Sequence, residues 1–70
     1  VQREAAQSSN VKSVGYDPAQ MLLEVEFRSG AAYQYQGVPA SVWVEWKKTG
    51  FKGGWFTTNI RGSYSYERIE

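Results

Sequence analysis

The chain has 70 residues and a formal net charge of +1, with 41% hydrophobic, 21% charged and 16% aromatic residues. That is enough for one small globular domain and is too apolar for a disordered chain. It has no cysteine and no histidine, which excludes disulfides, Cys/His zinc sites, thiolate nucleophiles and imidazole general bases.

The first nine residues offer only alanines and one valine for burial, so residues 1–9 read as a flexible leader and residues 10–70 as a single domain. Val11 to Tyr16 reads as a first strand. Asp17-Pro18-Ala19-Gln20 has turn chemistry, because proline presets φ at the second turn position. Met21 to Arg28 alternates: Leu23, Val25 and Phe27 fall on one face and Glu24, Glu26 and Arg28 on the other, the period-two pattern of a half-buried strand. Ser29-Gly30 supplies a tight turn, and Ala31 to Gly37 continues as a third strand with Tyr33 and Tyr35 on one face.

Val38-Pro39 opens a helix over Pro39 to Lys48, since proline suits the first helical turn. Lys47 and Lys48 complement its carbonyl end, and Gly50 closes it. Val38, Val42 and Trp46 form its buried stripe, which turns Trp43 toward solvent. Lys52-Gly53-Gly54 reads as a mobile loop, and the Phe56/Ile60 spacing allows one helical turn. Ser63 to Ile69 reads as a closing strand. The expected fold is α+β, an antiparallel sheet of about four strands with the helix on one face and Leu23, Val25, Phe27, Val42 and Ile69 in the core.

Little of the chemistry of catalysis is present. Glu24 and Glu26 lie on one strand face, but acids alternating against an apolar face are ordinarily its solvated side. Gly50-Phe51-Lys52-Gly53-Gly54 lacks the phosphate-loop spacing. No catalytic residue, metal ligand or cofactor site is expected. No apolar run approaches a membrane span, and the amino end has no signal-peptide core. The expectation is a cytoplasmic protein with no membrane partner.

Residues 47–66 contain Lys47, Lys48, Lys52 and Arg61 and no Asp or Glu. Interleaved with these cations are Phe51, Trp55, Phe56, Tyr64 and Tyr66, and Tyr33 and Tyr35 stand on the third strand. Rings that stack on bases and cations that neutralise phosphates are what a single-stranded RNA or DNA site requires. The candidate nucleic-acid contacts are Lys47, Lys48, Lys52, Trp55, Arg61, Tyr33, Tyr35 and Tyr64. Two alternatives stay open: the tyrosines serve as core rather than contact, and an exposed Trp43 anchors a protein partner instead.

Ser9-Asn10, Val14-Gly15-Tyr16-Asp17, Leu23 to Gly30, Tyr33-Gln34-Tyr35, Gly37-Val38-Pro39, Phe56, Asn59-Ile60-Arg61, Tyr64, Tyr66 and Ile69 together resemble the KTSC domain family over residues 8 to 69. That family is found at the carboxyl end of some lysyl-tRNA synthetases and as small standalone proteins of bacteria and phages. The resemblance implies a small α+β fold and an RNA partner, without a demonstrated activity. The chain departs from the family's pattern at Trp43, Trp46, Phe51 and Gly53-Gly54-Trp55.

Overall fold

The structure is a computed structural model that describes residues 2–6 and 8–70. Among these residues five strands, β1 (Glu4–Ala5), β2 (Val11–Asp17), β3 (Leu22–Phe27), β4 (Ala32–Tyr35) and β5 (Tyr66–Arg68), form one antiparallel sheet in sequence order. Two helices, α1 (Ala40–Lys48) and α2 (Gly53–Asn59), lie between β4 and β5 in the chain and cover one face. No helix among the described residues is long and apolar enough to cross a membrane.

Strand register assigns the two faces. Val14 pairs with Val25 and Tyr16 with Leu23, and these strand neighbours pair onward with Tyr33 and Tyr35, so their side chains share the helix-covered face. Ser13, Gly15, Glu24, Glu26 and Gln34 share the other. The connections follow from local chemistry. Asp17 Oδ1 accepts from the Ala19 N–H at 3.0 Å, which makes the expected turn an Asx-turn. Gly30 adopts φ +99° and donates to Phe27 O at 3.0 Å, closing the β3–β4 hairpin in a conformation that favours glycine.

Helix α1 ends in a Schellman motif: Gly50 N–H donates to Lys47 O at 3.0 Å and Phe51 N–H to Trp46 O at 3.1 Å. The Trp46 and Phe51 rings supply the accompanying apolar contact, with centroids 5.0 Å apart. Trp46 is fully buried, and its Nε1–H donates to Lys52 O at 3.0 Å. Around it lie Val11, Val14, Leu23, Val25, Val38 and Ile60, all fully buried. Tyr16 closes the β2 side of this core and donates its hydroxyl hydrogen to Val38 O at 2.6 Å.

Four sequence expectations are corrected. The sheet has a fifth strand, because Glu4–Ala5 pairs with Val14 and Ser13 and Ala6 is buried; of the leader expected over residues 1–9, Val1 and Gln7 lie outside the described residues. Gly53 and Gly54 are helical rather than loop. Their low helix propensity is offset by Phe56, which the helix buries against the sheet, and by the Trp46 bond that fixes Lys52 at its start. Of the expected core, Leu23 and Val25 are fully buried, and Phe27 and Val42 pack half-buried against it, but Ile69 is 37% exposed. It follows β5 with the parity of Glu67, which register places on the face away from the helices.

The fourth correction concerns Glu24, which is buried at 5% exposure rather than solvated. Strand β1 brings Arg3 over this face. The Arg3 guanidinium bonds Glu24, approaches Glu26 at 3.6 Å and meets Glu70 at 2.8 Å. Gln34 Nε2 donates to the second Glu24 oxygen at 2.9 Å. Burial alone would raise the Glu24 carboxyl, but the bonds from Gln34 and Arg3 outweigh it and hold the group below the ordinary carboxylate range.

Candidate functional site

The helices cover the sheet unevenly. Trp43 of α1 stacks on Tyr16 of β2, centroids 5.6 Å apart and planes 11° from parallel. Phe56 of α2 packs edge-on against Tyr35 at 5.3 Å and Phe27 at 5.7 Å. Beside Phe56 the outer sheet, where β4 meets β5, is more open, and Tyr66 is exposed. A groove of about 480 Å³ opens there, lined chiefly by Phe27, Tyr33, Tyr35, Phe56, Arg61 and Tyr66, with Asn10, Ser29 and Thr57 as polar neighbours.

Register explains why the rings gather. Tyr33 pairs with Arg68 and Tyr35 with Tyr66, so the short β4–β5 pairing aligns side chains from both strands on the helix face. Tyr66 lies 5.7 Å from Tyr33 at 74° and 5.5 Å from Tyr35 at 35°. Phe27 extends the row, 6.0 Å from Tyr33 and edge-on to it. The rings differ in depth: Tyr35 is 3% exposed, Tyr33 half-buried and Tyr66 59% exposed. Burial pushes the Tyr35 phenol above its ordinary pKa, and the nearby Arg61 charge opposes that rise. The groove is thus an aromatic wall, deep at Tyr35 and open at Tyr66, with a cation in its lining.

Tyr33, Tyr35 and Arg61 of the sequence-derived contacts come together in this groove. The others do not line it. Lys47 sits over the Trp43 ring at 5.8 Å and within 3.9 Å of Glu4, on the β1 side of the molecule. Lys48 pairs with Glu45 at 3.7 Å. Lys52 starts α2 as an exposed residue, and Trp55 and Tyr64 are half-buried against the core. The acid-free run is therefore continuous in sequence and dispersed in space, because a helix end, a turn and a second helix separate its cations. Trp43, expected to face solvent, is half-buried between Tyr16 and Phe51.

Sequence reasoning left out Tyr66 and Phe27 as contacts. The alternation Tyr64, Tyr66 signals a strand, but the choice between the two rings depends on which of them pairs with Tyr35. Only Tyr66 does. The ionisable groups among the lining residues are the three tyrosines and Arg61, which can stack and bind an anion but form no acid–base pair suited to proton transfer near neutral pH.

Comparison with known proteins places this geometry. The family model described as KTSC domain matches residues 7–64. A crystal structure of a KTSC domain protein from Yersinia pestis superposes with a TM-score of 0.91 at 37% identity, covering 99% of this chain and 97% of that one. A lysine–tRNA ligase from Nostoc sp. is 35% identical over 63 residues, 90% of this chain and 11% of the ligase. An uncharacterized protein from Stutzerimonas stutzeri is 57% identical over 42 residues, 60% of this chain and 59% of that protein. The chain thus spans less than two thirds of the length of these curated relatives.

Proposed function

The chain belongs to the KTSC domain family, and from that premise and its groove we propose that it is a small non-catalytic module that binds single-stranded RNA. The observation that carries this reading is the run Phe27, Tyr33 and Tyr66, backed by the buried Tyr35, along one groove with Arg61 in the same lining. Tyr33 and Tyr66 stand at 74° to one another, so two bases lying on them cannot remain stacked on each other. Such a surface takes unstacked, splayed bases, which single strands offer and duplexes do not. Each base stacked on a ring contributes roughly 1–3 kcal/mol.

RNA is chosen over DNA because the Nostoc relative is a lysine–tRNA ligase, an enzyme named for an RNA substrate, and this chain matches it over 90% of its own length. A cytoplasmic setting belongs to the same reading. A protein partner anchored on Trp43 has less support, since that ring is already stacked on Tyr16.

Titration of a labelled single-stranded RNA by fluorescence anisotropy at two salt concentrations tests the reading. Binding that weakens with salt and is not displaced by the same sequence as a duplex is the expected result. Failure of single-stranded RNA to bind at low salt, or equal competition by the duplex, would overturn it.

A further inference from the structure

Among the described residues, Arg61 is the one cation that lines the groove, yet a ligand lying across Tyr33 and Tyr66 must carry its backbone past the edge of the sheet. β5 is that edge, and register places Arg68 directly opposite Tyr33 on the helix-covered face. Tyr66 and Arg68 are two residues apart on the same strand, so they project to one side about 7 Å from each other.

The surrounding acids are directed elsewhere. Glu67 pairs with Gln34 on the opposite face, and the Glu70 carboxylate is drawn onto that face by Arg3 at 2.8 Å. Among the described residues, neither Arg61 nor Arg68 has an Asp or Glu side chain within ion-pair distance, whereas Lys47, Lys48 and Arg3 do. The Arg68 Nε–H donates to Glu70 O at 2.8 Å, which orients the guanidinium while leaving its terminal nitrogens free to donate to an anion.

We propose that Arg68 is a second phosphate-binding residue, so that Arg61 and Arg68 hold the backbone of a single strand running along β5 while its bases lie on Tyr33 and Tyr66. This rests on the single-strand reading of the groove and assigns the path of the strand. Arg3 contributes indirectly as a positioning residue, because its bond to Glu70 holds that carboxylate on the opposite face of the sheet from Arg68.

The test is the salt dependence of single-stranded RNA binding in the wild type and in Arg68→Gln, Arg68→Lys and Lys48→Gln. For a single strand, each phosphate that the protein no longer neutralises flattens the slope of log K against log salt by about 0.7. Arg68→Gln is expected to flatten it by that amount and to bind several-fold more weakly at low ionic strength, with an unchanged melting temperature. Arg68→Lys should restore most of the slope, and Lys48→Gln, which removes the same charge at a residue that does not line the groove, should leave it at the wild-type value. If the wild type binds and Arg68→Gln keeps its slope, or Lys48→Gln flattens it as much, the assignment of Arg68 fails while the function stands. If the wild type binds no single-stranded RNA, both fail.

Discussion

The rings of Tyr35 and Tyr66 lie 5.5 Å apart across the β4–β5 pair, one at 3% exposure and the other at 59%. Two tyrosines in contact therefore have opposite costs on truncation. Tyr35→Ala empties a packed site against Phe56 and should cost about 3–5 kcal/mol of stability, enough to unfold much of so small a domain. Tyr66→Ala should shift the urea midpoint far less and act on ligand binding. Equilibrium urea unfolding of the two variants separates them.

Glycine tolerance should differ within α2. A Cβ on Gly54 meets nothing within 4 Å, whereas one on Gly53 would stand 2.9 Å from Asn10 Nδ2. Gly54→Ala is expected to stabilise by about 0.5–1 kcal/mol through helix propensity and the restricted unfolded chain. Gly53→Ala should gain less, since the Asn10 amide has to move. Equal gains in thermal melting would contradict the placement of Asn10 against the helix.

Acid should weaken the fold through Glu24. Its folded pKa is depressed below the ordinary value near 4.5, so above that value both folded and unfolded states are ionised and the stabilisation is complete. As pH falls below it the unfolded chain takes up the proton first, and the contribution is lost through the folded pKa. Urea midpoints measured between about pH 6 and about pH 3 should fall more steeply in the wild type than in Glu24→Gln. Parallel curves would show that Arg3 and Gln34 do not hold this carboxylate in solution.

The β2 side offers an independent check. Tyr16→Phe keeps the stack on Trp43 and deletes the bond to Val38 O, for an expected loss of about 0.5–1.5 kcal/mol. Trp43→Ala removes the stack and leaves the hydroxyl bond. A double-mutant cycle should give a small coupling, because the two interactions use different atoms of Tyr16.

Much of the sheet was legible because local signals agreed with the fold. Leu23 and Val25 alternate with polar neighbours, Gly30 demands its turn, and Pro39 and Gly50 bracket α1. What escaped depends on pairings between distant segments. Glu4–Ala5 has no strand signal of its own and is recruited by the β2 edge, and Arg3 then buries Glu24. Gly53-Gly54 reads as loop until Phe56 and Trp46 hold it helical. The candidate site was legible in kind, as rings beside a cation, and not in membership: the sequence cluster from Lys47 to Arg61 scatters, and Tyr66 enters through its pairing with Tyr35.

The most direct measurement of the central claim is single-stranded RNA binding by Tyr66→Ala and Tyr66→Phe beside the wild type. If the exposed ring carries a stacked base, Tyr66→Ala should lose roughly 1–3 kcal/mol of binding free energy and Tyr66→Phe almost none, because phenylalanine keeps the face on which the base lies. Both variants should melt close to the wild type, placing the loss in the ligand and not in the fold. Wild-type affinity in a folded Tyr66→Ala would contradict the account.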